Sequence, residues 1–189
     1  LFAQATKKQS KGVVKLVAKP EFNFAFMASE ELLAKEQEHP KIEALRKIIE
    51  EEFQKNEKAN VIVFSQFRET ARILCKTLNS IKEVKAKVFV GQAKKTIDGS
   101  TSGEVSGLSQ KEQKKILHEF SGREINVLCA TSIGEEGLDI PEVNVVVFYE
   151  PVASVIRTIQ RAGRTARLMK GKLVILITRK TRDEAYFYA

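Results

Sequence analysis

This chain of 189 residues has no tryptophan, two cysteines, two histidines and four prolines. Cys75 and Cys129 lie in apolar surroundings without a C-x-x-C partner, which argues against a disulfide framework or a cysteine metal site. Two free, buried thiols in a reducing compartment are expected. His39 and His118 stand alone, each as a surface or helix-face residue. No Ser/His/Asp set and no metal-ligating cluster stands out. No apolar run approaches the roughly 18 residues that a membrane span needs, and there is no signal-peptide pattern. Two phosphate-handling signatures are also missing: the G-x-x-x-x-G-K-[ST] loop and the D-E-x-[DH] magnesium motif. The first residue is Leu, so the chain is expected to be a piece of a longer protein.

Acid is unevenly distributed. From Pro151 to Arg182 there is no Asp or Glu against nine Lys and Arg, and residues 1–20 carry five Lys without an acid. The net charge of +8 therefore reflects two basic ends around a middle that is close to balanced and slightly acidic. Such a distribution points to a polyanionic partner without naming it. A hydrophobic content of 43% supports a sizeable core, and 30% charge argues against both disorder and membrane insertion.

Within the acid-free stretch, Gln160–Arg167 reads Q-R-A-G-R-T-A-R, with Arg157 one helical turn upstream. A helix from about Ser154 is expected to loosen at Gly163, since Gly costs a helix about 1 kcal/mol relative to Ala. Arg164 and Arg167 would then project as separate forks. Guanidinium groups suit phosphate oxygens because they are planar, permanently charged and bidentate. A solvated basic helix end, favoured by the helix dipole, is the other reading of the same spacing.

The rest of the chain alternates strands and helices. Residues 1–37 resemble a linker with an apolar patch at Phe22, Phe24, Phe26 and Met27 and one or two helical turns at Ala28–Gln37. From Pro40 a helical stripe begins, carried by Ile42, Leu45, Ile48, Ile49 and Phe53. Strand Val61–Phe64, helix Arg68–Asn79 and strand Lys87–Val90 follow, the helix core face being Ala71, Ile73, Leu74, Cys75 and Leu78. Gly91–Gly107 forms a long polar loop of a length that is usually functional or disordered. Ser109 with Glu112 makes a capping box for helix Gln110–Phe120, which Gly122 ends. Strands Asn126–Ala130, Asn144–Tyr149 and Leu173–Thr178 and a last helical turn, Arg182–Tyr188, complete the pattern.

Continuous Val/Ile/Leu strands alternating with helices imply an α/β fold with a mainly parallel sheet covered on both faces. Ligands of such sheets sit outside the carboxyl ends of the strands. Ser65–Phe67, Gly91–Gln92, Thr131–Ser132 and the residues from Glu150 onward fall on that rim. Thr131 and Ser132 could hold a nucleic-acid phosphate or cap a short helix. Gly134 and Gly137 permit a tight turn, and Asp139 could accept from ribose hydroxyls or close the turn before Pro141.

V-I-V-F-S-Q-F-R (61–68), A-T-S-I-G-E-E-G-L-D-I-P (130–141) and Q-R-A-G-R-T-A-R (160–167) resemble motifs IV, V and VI of superfamily 2 helicases. H-P-K (39–41), F-V-G-Q-A (89–93), G-L-S-Q-K-E-Q (107–113), V-V-F-Y-E-P-V (146–152) and T-R-D-E-A-Y (181–186) extend the likeness. Together they resemble the second motor lobe of the archaeal Hef and Fanconi-anaemia group M type fork helicase-translocases. The resemblance implies a three-layer RecA-like domain over 39–189, with 1–38 as a linker or the tail of a helical insertion domain. It implies arginine fingers at Arg164 and Arg167, and nucleotide contacts from Gly137, Asp139, Gln160 and Arg161. Gln66, Gly91, Gln92, Thr131 and Ser132 would follow a nucleic-acid strand, and no residue would bind metal.

ATP and Mg2+ would be held mainly by the N-terminal RecA-like lobe, so this piece alone should be inactive. The implied partner is forked or branched DNA in repair, in the cytoplasm at a prokaryotic nucleoid, with room for a downstream nuclease domain and no membrane. Two alternatives stay open: an RNA helicase of the same superfamily, and a non-enzymatic nucleic-acid-binding module. Ala166 stands where motif VI usually has Gly, which bears on how Arg167 is aimed.

Overall fold

The structure, a computed structural model, describes residues 11–35, 38–91, 107–131, 141–151 and 171–188. The chain divides into two compact units, Leu1–His39 and Pro40–Ala189.

In the first unit, α1 (Lys11–Val17) and α2 (Pro20–Ala34) replace the expected linker and short turns. Pro20 at the start of α2 is the local signal, since its fixed φ suits a first helical turn. The Asn23 amide donates to the Val17 and Lys19 carbonyls at 3.2 and 3.3 Å and ties the corner between the helices. Neither helix buries a residue, and Phe24, Met27 and Leu33 are largely exposed. The apolar residues cluster rather than repeat at helical spacing, which is why periodicity gave no helix here.

The second unit opens with α3 (Pro40–Lys55), followed by β1 (Val61–Phe64), α4 (Arg68–Leu78) and β2 (Ala86–Phe89). Next come α5 (Gln110–Ser121), β3 (Val127–Ala130), β4 (Val145–Phe148), β5 (Lys172–Ile175) and α6 (Arg182–Tyr188). The strands form one parallel sheet in the order β2-β3-β1-β4-β5. The expected strands are all present, Val61–Phe64 with the expected ends and the others with ends shifted by up to three residues. The helix expected from Ser154, most of the Gly91–Gly107 loop and the turn after Thr131 lie outside the described residues.

Successive strand residues face opposite sides, so the continuous apolar runs feed two cores. Val61, Val63, Val127, Cys129, Val145 and Val147 meet α3 and α4 through Leu45, Ile49, Phe53, Ala71, Leu74 and Leu78. Ile62, Phe64, Phe89, Leu128, Val146 and Phe148 meet α5 through Ile116, Leu117 and Phe120. Three layers result. Ile73, expected in the core face of α4, is half exposed because it falls off the 71-74-75-78 stripe. Cys129 is buried as expected, whereas Cys75 is only half-buried.

The register has a simple sequence origin. Each of the three central strands begins with Asn-Val, and Val61 pairs with both Val127 and Val145. The preceding asparagines lace the amino-end rim. Asn144 Oδ1 accepts from the Asn60 N–H at 2.8 Å, and Asn126 Oδ1 from the Lys85 N–H at 2.8 Å. Gly171 admits β5: a Cβ there would stand 1.9 Å from the Asn144 carbonyl oxygen, which accepts from the Lys172 N–H at 2.8 Å. The capping box of α5 is present in full. At its other end Gly122 keeps a right-handed φ of −77°, and Arg123 takes the left-handed conformation with φ 61°.

Candidate functional site

The carboxyl ends of the strands form one rim. Backbone bonds prolong the sheet beyond its strands and fix their order there. Thr131 N–H donates to the Phe89 carbonyl at 3.2 Å, Ser65 N–H to Ala130 at 2.9 Å and Tyr149 N–H to Phe64 at 2.8 Å. Gly91, Thr131, Ser65–Gln66 and Tyr149–Glu150 therefore stand side by side. Of the expected site residues, the structure brings together Gln66, Gly91 and Thr131. Arg164, Arg167, Gly137, Asp139, Gln160, Arg161, Gln92 and Ser132 lie outside the described residues.

Each of the three is held differently. Gln66 is exposed, and its backbone N–H donates to Glu150 Oε2 at 3.0 Å. The Gly91 carbonyl accepts from the Arg68 guanidinium at 2.9 Å, which draws the start of α4 toward the end of β2. Thr131 is buried. Beneath Gly91, fully buried Gln113 donates from Nε2 to the Val90 carbonyl at 3.0 Å. Its Oε1 has no hydrogen-bond partner among the described residues. Phe67, between Gln66 and Arg68, is 60% exposed, which leaves an aromatic face at the rim.

A second layer of support lies behind Glu150. Lys41, in the first turn of α3, is buried and donates from Nζ to the Tyr149 carbonyl at 2.9 Å. The same ammonium pairs with Asp183 of α6 and lies 5.5 Å from the Tyr149 ring centroid. Asp183 also accepts from the Thr178 N–H at 2.9 Å. Burial pushes Asp183 up, but the bonds from Lys41 and Thr178 outweigh it and hold the carboxyl below its ordinary value. At Glu150 burial wins: its carboxyl is raised, although the Gln66 N–H and the Lys41 charge pull it down.

Residue-by-residue reading missed Arg68, Gln113, Glu150, Lys41 and Asp183 as supports. The signal was present in Q-K-E-Q, H-P-K, F-Y-E-P and T-R-D-E-A-Y, quoted for their likeness but given no physical role. Lys41 in particular is a charge one position from an apolar stripe, which a polar-outside pattern assigns to solvent.

An open polar rim at the carboxyl ends of a parallel sheet is where this architecture takes ligands. The exposed Gln66 there can meet a phosphate without reading bases. No group of three or more His, Cys, Asp or Glu that could hold a metal ion occurs among the described residues, so no magnesium ligand is assigned. Nor is any helix among them long and apolar enough to cross a membrane.

The helicase conserved C-terminal domain family matches residues 40–169. The chain belongs to this family. A putative ATP-dependent RNA helicase of Methanocaldococcus jannaschii is 41% identical over 158 residues, covering 82% of this chain and 19% of that protein. The putative ATP-dependent DNA helicase fml2 of Schizosaccharomyces pombe is 38% identical over 153 residues, covering 78% and 19%. The crystal structure of the Pyrococcus furiosus Hef helicase domain covers 99% of this chain and 36% of its own, with 42% identity and a TM-score of 0.72. The lobe is thus a RecA-like, superfamily 2 helicase C-terminal domain, as its motifs led one to expect. It spans about a fifth of the length of these curated relatives.

Proposed function

We propose that this helicase lobe is the second half of an ATP-driven motor that translocates on forked or branched DNA in repair. The observation that carries this is the rim, where Gln66, Gly91 and Thr131 meet at the carboxyl ends of three adjacent strands. Gln66, Gly91 and Thr131, with Gln92 and Ser132, grip the phosphates of one strand. Such contacts are independent of sequence and weaken steeply with salt. Gly137, Asp139, Gln160 and Arg161 face a nucleotide held mainly, with Mg2+, by the N-terminal lobe. Arg164 and Arg167 supply positive charge to its phosphates; an arginine finger is typically worth about 10³–10⁵ in rate. ATP hydrolysis supplies the free energy of the cycle. This lobe alone does not hydrolyse ATP.

Support for residue roles is the motif likeness, and support for DNA is the likeness to fml2, a putative ATP-dependent DNA helicase. Residues 1–38 serve as a linker or as the tail of a helical insertion between the lobes. Work on DNA would place the protein at the nucleoid, with a nuclease domain as a further neighbour in the full chain.

The test is ATPase activity of the full-length protein with forked DNA, with duplex RNA and without nucleic acid, beside Arg164→Ala. Stimulation by forked DNA and at least a hundredfold loss in the variant are expected. Stimulation by RNA alone would move the substrate to RNA, in line with the Methanocaldococcus relative, a putative ATP-dependent RNA helicase. A folded full-length protein that binds nucleic acid but hydrolyses no ATP overturns the motor reading.

A further inference from the structure

Two of the sequence motifs, H-P-K and T-R-D-E-A-Y, have no part in the motor reading, yet the structure joins them. Lys41 of the first, buried, and Asp183 of the second, partly buried, form an ion pair at the carboxyl end of β4. From this pairing, and resting on the motor reading above, we infer that Lys41 and Asp183 are positioning residues for nucleic-acid engagement, acting through Glu150 on Gln66.

The connection is continuous. Asp183 accepts from Thr178 N–H at 2.9 Å and from Lys41, so the start of α6 is fixed relative to the end of β5. Lys41 Nζ takes up the Tyr149 carbonyl at 2.9 Å, a group beyond the last strand bond of β4. The next residue, Glu150, accepts the Gln66 N–H at 3.0 Å. The Lys41 charge also favours the Glu150 carboxylate against the burial that opposes it. Because Glu150 occupies the backbone N–H of Gln66, the exposed side-chain amide is the group of Gln66 left to meet a phosphate.

Stability alone does not call for this arrangement. A buried ion pair is often replaceable by apolar residues of similar volume at little or no loss, whereas removing one partner strands a charge. What an ammonium with a carboxylate and a carbonyl adds is a fixed geometry, directional at every contact. That geometry ends at the exposed residue on the rim.

The experiment uses the full-length motor and the concentration of forked DNA that half-saturates its ATPase, with duplex RNA substituted if RNA alone stimulates. Lys41→Met combined with Asp183→Leu removes both charges of the ion pair, so neither of its partners is left without the other. Thermal unfolding checks that this pair variant is folded. The expected result is a half-saturating concentration about tenfold higher, the worth of one charge-assisted hydrogen bond, with the maximal rate changed much less. Adding Gln66→Ala to that background should raise it little further, because coupled residues do not add. A folded pair variant with unchanged half-saturation overturns the inference, as does a Gln66→Ala effect that multiplies in full. If the pair variant does not fold, Glu150→Ala decides, since it cuts the connection while leaving the ion pair intact. The same tenfold rise supports the inference and an unchanged value overturns it. Failure of every nucleic acid to stimulate the unsubstituted protein overturns the motor reading and this inference together, whereas normal stimulation with unresponsive variants overturns the inference alone.

Discussion

Lys41 and Asp183 lie 142 positions apart in the sequence and meet as a part-buried ion pair, the ammonium also holding the Tyr149 carbonyl. The pair closes the domain by joining its first helix to its last. Its energetics give an acid signature.

Asp183 titrates below its ordinary value of 3.8, because bonds from Lys41 and Thr178 favour its charged form more than burial opposes it. A depressed carboxylate adds stability that is fully present above its unfolded-state pKa and is lost as pH falls through the folded-state one. The melting temperature of this chain should therefore decline below about pH 4. Asp183→Asn should melt lower at neutral pH and lose less on acidification. Thermal unfolding followed by circular dichroism across that range checks both.

Gln66 offers its side chain, not its backbone, to solvent at the rim. Gln66→Ala should leave stability within about 0.5 kcal/mol, as surface substitutions usually do. It should weaken binding of single-stranded DNA about tenfold in the full-length protein, the worth of about 1.4 kcal/mol. Gln66→Glu should weaken it more, by placing like charge against phosphate. Fluorescence anisotropy with a labelled oligonucleotide at fixed salt distinguishes the two.

Gly171 has no room for a methyl group beside the Asn144 carbonyl. Gly171→Ala should therefore cost about 1–3 kcal/mol, the usual range for overpacking. The site of strain is where β5 joins the sheet, so protection of the Lys172 amide, bonded to Asn144, should fall first. Denaturant unfolding and hydrogen exchange measure these separately.

Ser109 caps α5 through the Glu112 N–H, and Glu112 returns a bond to the Ser109 N–H at 2.7 Å. Ser109→Ala should lower stability by about 1 kcal/mol. The effect reaches the second core because α5 carries Phe120, which is fully buried there. A shift in urea midpoint without change in slope is the expected reading.

The strands, α4, α5, the capping box and the three-layer architecture were legible in the sequence because each is set by short-range periodicity or local capping. Strand ends moved by up to three residues because the last bonds of a strand depend on its neighbours. The N-terminal helices were not legible. Their apolar residues form no stripe, and no core among the described residues of their own unit selects one.

For the site, the order of residues along the rim followed from the strand pattern, and Gln66, Gly91 and Thr131 fell where the carboxyl-end rule placed them. Their supports did not follow. Arg68 to Gly91, Gln113 to Val90 and Glu150 to Gln66 are each bonds across 23 or more positions. No local spacing encodes such a bond.

The sequence by itself determined the alternation of elements, the family and the identity of the rim residues, because hydrophobic period and motif spacing are properties of neighbours along the chain. Only the tertiary structure decided that Lys41 is buried, that Asp183 is its counter-ion and that Glu150 consumes the Gln66 N–H. A charge is buried only where folding delivers its partner, and here that partner comes from the other end of the domain.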